Sequence, residues 1–138
     1  MSIYNRLDYK TVLPQLEKQV ESLKVDYVVK QGKSGIWTYR KWDSGVCELW
    51  GRHSATLSNY ATVNSWYGYN TGAIDLPFKV YSPCTQISAK VGSGFAHSGN
   101  CYSASNNASI TKITGYCIAN QSGSQSTVWH FYIIGTWK

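Results

Sequence analysis

Long apolar runs are missing from this chain. Nothing approaches the ~20 consecutive apolar residues of a membrane-spanning helix, and the opening MSIYNRLDYK has no apolar core of the kind that marks a secretory signal. Both absences lead us to expect a polypeptide made and folded in a cytosol, without a membrane span. Cysteine is sparse: Cys47, Cys84, Cys101 and Cys117 are irregularly spaced and form no C-x-x-C pair. That spacing argues against a zinc site and against a disulfide framework. Reduced thiols serving as small buried hydrophobes are expected instead.

Carboxylates nearly vanish after Arg52, where Asp75 stands by itself. A glycan depolymerase working through paired carboxylates would have Asp43, Glu48 and Asp75 to draw on. Asp43 reads as a turn residue, Glu48 as half of a cross-strand ion pair, and Asp75 has no partner in sequence. The chain also lacks G-x-S-x-G, metal-ligand spacing and a phosphate-binding loop, and His53, His97 and His130 have no evident Ser, Cys or acidic partner. The expectation is therefore a protein that is not an enzyme, with no catalytic residues, no cofactor and no metal. His130, set in an apolar strand, is expected in the core or in an interface.

The formal charge of +6 invites a nucleic-acid reading, but nine of the thirteen cations lie at or before Arg52, interleaved with six of the seven acids. No basic stripe, zinc-finger spacing or RNA-recognition motif accompanies them, so no nucleic-acid partner is expected.

What the chain does have is aromatics with polar tips: 6 Trp and 11 Tyr against 3 Phe. Such side chains crowd into cores, interfaces and binding surfaces alike. At 138 residues, 43% of them hydrophobic, the chain has the length of one domain and enough apolar content for a core.

Residues 1–10 form a polar, aromatic arm without a clear period. From Thr11, a plausible N-cap, the pattern turns helical, with Pro14 tolerable in a first turn. Leu13, Leu16, Val20, Leu23 and Tyr27 recur at alternating spacings of three and four, the rule for a coiled-coil seam. An isolated helix below ~12–15 residues is marginal, so something must cover this stripe. We expect residues 1–25 to be an arm and a short parallel coiled-coil stalk, and residues 26–138 to be the head.

Asp26–Lys30 reads as a first strand continuing directly from the helix. Gln31–Gly51, QGKSGIWTYRKWDSGVCELWG, reads as a β-hairpin about Asp43-Ser44-Gly45. A two-residue turn would force Ser44 to positive φ, so a three-residue loop with Gly45 left-handed is preferred. That loop places Trp42 opposite Val46, Arg40 opposite Glu48 and Thr38 opposite Trp50. One face then carries Trp37, Tyr39, Cys47 and Leu49 toward a core, and the other carries Arg40, Trp42, Glu48 and Trp50. The second face has the mixture of aromatics and an ion pair typical of a subunit contact.

Farther on, Arg52–Asn64 is Ser/Thr-rich, residues 65–72 are strand or loop, and Ala73–Pro77 is a connection. Short strands are expected at Phe78–Tyr81, ended by Ser82-Pro83, at Gln86–Val91, near Cys101–Ser103 within a Gly/Ser/Asn-rich stretch, and at Ile110–Ala119. After a polar turn, Thr127–Trp137 reads as a final, well-buried strand. The pattern predicts an all-β head, an antiparallel β-sandwich of jelly-roll type.

The hairpin run, the later WYGY and the ending FYIIGTWK resemble the C-terminal head domain of phage and prophage tail-fibre, baseplate and minor structural proteins of Gram-positive hosts. The resemblance covers Asp26 to the end. It implies a homotrimeric stalk feeding a β-rich head, a virion location, other virion or tail proteins as partners, and no catalytic motif. This chain departs from the pattern in its single short helix and in its four cysteines.

Sugar sites stack pyranose faces on Trp or Tyr and bond hydroxyls with Asn and Ser, and the chain after Arg52 is rich in these. The expected function is a trimeric head binding a host cell-wall polysaccharide, with a purely structural fibre-tip, collar or capsid-decoration protein as alternative. The candidate glycan contacts are Trp66, Tyr67, Tyr69, Asn70, His97, Asn100, Tyr102, Asn106 and Asn107. Leu13, Leu16, Val20, Leu23, Tyr27, Trp42 and Trp50 are the candidate trimer interface.

Overall fold

Alternation of apolar and polar side chains, two residues per repeat, dictates the structure of most of the chain after Val28. In the computed structural model, residues 9–23, 25–94, 96–102 and 108–138 are described, apart from the side chains of Tyr9 and of residues 97–102. A helix α1 (Tyr9–Ser22) leads into strands β1 (Val28–Ser34), β2 (Trp37–Trp42), β3 (Val46–Ser58) and β4 (Ala61–Val63). The chain continues with β5 (Trp66–Val91), β6 (Ala96–Tyr102), β7 (Ser109–Ala119) and β8 (Ser124–Thr136). The architecture is antiparallel and all-β, with one short N-terminal helix.

The β2–β3 hairpin has the register its turn chemistry requires: Thr38 pairs with Trp50 and Arg40 with Glu48. Gly45 takes a φ of 99° and its N–H reaches the Trp42 carbonyl at 3.0 Å. Trp37, Cys47 and Leu49 are buried on the inward face as expected. Gln31–Ser34, however, belongs to β1, which pairs with β2, so the predicted hairpin is the end of a three-stranded meander.

The same turn gathers two distant parts of the chain. Asp26 accepts hydrogen bonds from the Ser44 hydroxyl and N–H, and the Asp43 N–H donates to the Tyr27 carbonyl at 2.9 Å. These bonds hold the pKa of the Asp26 carboxyl below its ordinary value, the Ser44 hydroxyl contributing most. From the other end, the Trp137 N–H donates to the Gly45 carbonyl and its ring N–H to the Trp42 carbonyl, both at 2.9 Å. Being held to the turn keeps Asp26 and Tyr27 out of the edge strand, which starts at Val28 and not at Asp26.

Hydrogen bonding runs through the strands in the order β1, β2, β3, β8, β5, β7, β6, with β4 beside β5. The expected antiparallel all-β head is thus built from one continuous hydrogen-bonded sheet whose two halves are joined through β5. Strand β5 makes the fold: Tyr67–Tyr81 pairs with β7, whereas Tyr81–Val91 pairs with β8. Ala73–Pro77 and Ser82-Pro83, predicted to interrupt the strand, lie inside it. The register slips between Tyr81 and Cys84, where Ser82 takes a φ of 45°, and such irregularities let a strand pass from one layer to the other.

The two halves face each other across one core containing Trp37, Leu49, Tyr69, Ile113, Trp129 and Ile133. The Trp37 ring N–H donates across the gap to the Asp75 carbonyl at 2.8 Å, and the Tyr39 and Phe78 rings meet edge to face at 5.2 Å. Opposite the Trp129 and Phe131 rings lies Gly115, where a Cβ would come within 2.9 Å of the Trp129 ring and 2.6 Å of Ile87 Cδ1.

Strand β3 continues through the Ser/Thr-rich residues to Ser58, and β6 starts at Ala96, five residues before the predicted Cys101. Strand β8 is buried on alternate residues only, so His130 is exposed within this chain, not in its core. Among the described residues the helix already includes Tyr9, which puts Thr11 inside it and not at its N-cap, and Pro14 beyond the first turn. Cys47 and Cys117 are buried, but Cys84 faces outward, contrary to the expectation of buried thiols.

Overpacking at Gly115 gives a direct check. Gly115→Val is expected to lower stability by about 1–3 kcal/mol in urea unfolding, and an unchanged midpoint would contradict the close approach. Thiol reactivity gives another. Burial pushes the Cys47 and Cys117 thiols up to about 11 from 9.0, so their thiolate fraction at neutral pH drops about 100-fold. Mass-resolved iodoacetamide labelling of the native chain is expected to modify Cys84 well before either.

Candidate functional site

Of the residues proposed for glycan contact, Trp66, Tyr67, Tyr69 and Asn70 are described with their side chains, and they divide between the two faces of β5. Trp66 and Tyr67 open β5 and, as neighbours on a strand, point to opposite faces; Tyr67 packs against the core. Tyr69 is corrected from a surface contact to a core residue. It stands opposite Cys117 on the inward face, and its hydroxyl donates to the carbonyls of Gln121 and Gly123 at 2.7 and 3.0 Å. Burial pushes its phenol pKa above the ordinary value. Asn70 serves the backbone, accepting the Gly72 N–H at 3.0 Å. His97, Asn100 and Tyr102 lie on β6 with side chains outside the described set, and Asn106 and Asn107 lie outside the described residues.

The candidate interface residues fall into two groups. Leu13, Leu16, Val20 and Leu23 are 51, 50, 69 and 75% exposed, and Val12 is the one residue from Lys10 to Ser22 that is not exposed. Tyr27 at the helix exit is exposed too. Trp42 and Trp50 are half-buried on the outward face of the β2–β3 pair.

Around Trp50 the pairing of β2, β3, β8 and the second part of β5 sets side chains in cross-strand rows. One row is Thr38, Trp50, Tyr132 and Gln86; the row beside it holds Arg52, His130 and Ser88; on the other side lie Arg40, Glu48, Ile134 and Cys84. The Arg40 guanidinium sits 5.3 Å from the Trp50 ring centre and 3.5 Å from the Glu48 carboxylate. The second oxygen of that carboxylate accepts the Tyr132 hydroxyl at 2.8 Å. Glu48 therefore ties three strands together, and its hydrogen bond, chiefly, raises the pKa of Tyr132 above the ordinary phenol value.

Two shallow grooves flank Trp50. One, of about 310 Å³, runs along Gln31, Lys33, Thr38 and Arg40; the other, of about 450 Å³, runs along Ile36, Thr38, Arg52 and His130. A third of about 210 Å³ continues past His130 to Tyr132, Gln86 and Ser88. No carboxylate lines any of the three. Such a surface can stack a ring and bond hydroxyls or an anion. Among the described residues no cluster of His, Cys, Asp and Glu is placed to hold a metal ion.

Arg52, His130 and Tyr132 come into this surface only through the β3–β8 pairing. In the sequence their signal is confined to the outward positions of two strands, Glu48-Trp50-Arg52 and His130-Tyr132-Ile134, and nothing local says that these strands are neighbours.

No protein-family model and no curated protein matches the sequence. Among solved structures the chain is similar to a C-terminal fragment of the R1 pyocin fibre of P. aeruginosa. The identity is 10%, the TM-score is 0.48, and the alignment covers 81% of this chain and 28% of that one. No helix among the described residues is long and apolar enough to cross a membrane.

The Glu48–Tyr132 bond is testable by pH. Because the folded phenol titrates above its ordinary value of 10.0, the bond to the ionised Glu48 stabilises the fold below that value and is lost as pH rises through the folded value. Glu48→Gln is expected to bring the Tyr132 titration, followed by NMR of the ring carbons, back toward the ordinary value. An unmoved titration would show that Glu48 is not its cause.

Proposed function

We propose that the chain is a non-enzymatic, tail-fibre-type virion protein in which three copies join through their N-terminal helices and present β-rich heads that bind a glycan on the host cell surface. The observation that carries the assembly is the uncovered stripe of Leu13, Leu16, Val20 and Leu23. A helix of 14 residues is marginal by itself, and among the described residues the apolar side of this one stays exposed. A parallel bundle of copies covers the stripe at its heptad spacing. The number three and the virion location come from the motif resemblance.

Adhesion is supported by the grooves around Trp50, none of which is lined by a carboxylate. The alternative, a structural cap without a ligand, draws support from Trp37 and Trp129, both buried, and from Trp137, which packs against the core. These rings serve the fold and leave fewer for a ligand.

Sedimentation equilibrium of the full chain is expected to give a three-chain mass. Leu16→Asp combined with Val20→Asp is expected to reduce it to one chain while the far-UV β signal persists. A single-chain mass for the unaltered protein would overturn the assembly.

A further inference from the structure

We propose that the outward face of β2, β3, β8 and the second part of β5 binds an acidic saccharide, a sugar ring bearing a carboxylate or phosphate, with Trp50 as the ring platform and Arg52 as the anion contact. The inference rests on the reading of the head as an adhesin and gives that reading a site and a ligand class.

Trp50 is the ridge between the two larger grooves and lines both. Its position is fixed from one side by Arg40, which Glu48 holds in turn, and Glu48 is itself held by Tyr132. A platform braced by a satisfied polar network loses little freedom when a ring stacks on it. Along its row the neighbours are Thr38, Tyr132 and Gln86, neutral groups suited to sugar hydroxyls. Each groove also offers a cation, Lys33 in one and Arg52 in the other, and among the described residues neither is in an ion pair. Arg52 brings a planar, bidentate donor set to a carboxylate or phosphate beside the stacked ring.

Charge decides against a second head as the occupant. Of the carboxylates in the described head, Glu48 is engaged by Arg40 and Tyr132, Asp26 by Ser44, and Asp75 by Lys112 at 3.6 Å. That leaves Asp43, a single carboxylate at a turn, to answer Lys33 and Arg52. An anion from outside the assembly answers both. Nucleic acid is disfavoured because the cations are few and alternate with neutral hydrogen-bonding groups, whereas affinity for a phosphate backbone grows with the number of phosphates neutralised.

The test is calorimetric titration of the full-length protein with oligogalacturonate, with a sugar-phosphate oligomer, with the neutral galactoside oligomer of the same length, and with a single-stranded oligonucleotide. Binding of either acidic oligomer in preference to the neutral one is expected, and the arm that binds identifies the anion. Trp50→Ala is expected to weaken it on the order of 10-fold or more, and exposed Arg52→Gln several-fold with a shallower salt dependence, the sedimentation mass being unchanged. If Trp50→Ala does not fold, Arg52→Gln carries the test. Neutral-oligomer binding insensitive to both variants would overturn this site and leave the adhesin reading standing. No saccharide binding in any arm would overturn both. Tighter oligonucleotide binding, or a changed sedimentation mass in either variant, would assign the face to nucleic acid or to a subunit contact and overturn the proposal.

Discussion

At Gly115 the two halves of the sheet come so near that a single methyl group would collide with Ile87 and the Trp129 ring. The core depends on that approach. Trp129 and Phe131 can be buried between layers only if something opposite them has no side chain, and the layers can face each other only because β5 runs unbroken from one to the other. Interior polar groups are matched to the same geometry: the Trp129 ring N–H donates to the Thr127 hydroxyl at 2.9 Å, and that hydroxyl donates to the Ala55 carbonyl at 2.7 Å. Buried donors satisfied in this way fix β8 against β3 in one register.

Local chemistry made part of this legible. The turn at Asp43–Gly45 and the alternation on either side determine the β2–β3 register and the inward set Trp37, Cys47 and Leu49, because both are properties of adjacent residues. Strand β5 was not legible, since Gly72, Pro77 and the Ser82-Pro83 pair are each strand breakers locally, and they are overridden by pairing with β7 on one side and β8 on the other. Tyr69 reads as surface in a Gly-rich passage, yet it stands opposite Cys117, a fact of pairing that no window of sequence contains. The surface around Trp50 divides the same way. Trp50 and the Arg40–Glu48 pair follow from one hairpin, whereas Arg52 joins His130 and Tyr132 only through a partner strand some 80 residues later.

In the described head the carboxylates are few and all but Asp43 are engaged, and this shapes the surface as much as the cations do. Glu48 is spent on holding Arg40 and Tyr132 together, so the outward face retains Lys33 and Arg52 without internal neutralisation. The helix carries the complementary lesson. Its apolar stripe is uncharged, exposed and regular, a surface suited to identical neighbours, whereas the head face is charged, grooved and irregular, a surface suited to something chemically unlike itself.

The clasp at Asp43–Gly45 has a mechanical side. A chain pulled by its helix delivers the load first to Asp26 and Tyr27, whose hydrogen bonds to Ser44 and Asp43 precede the start of β1. Strand β1 is an edge, and an edge loaded at its end unzips one hydrogen bond at a time. With the clasp in place the pull is shared with the β2–β3 turn, which the Trp137 N–H secures from the far end of the chain. An edge strand of the sheet is thereby shielded from a pull along the helix.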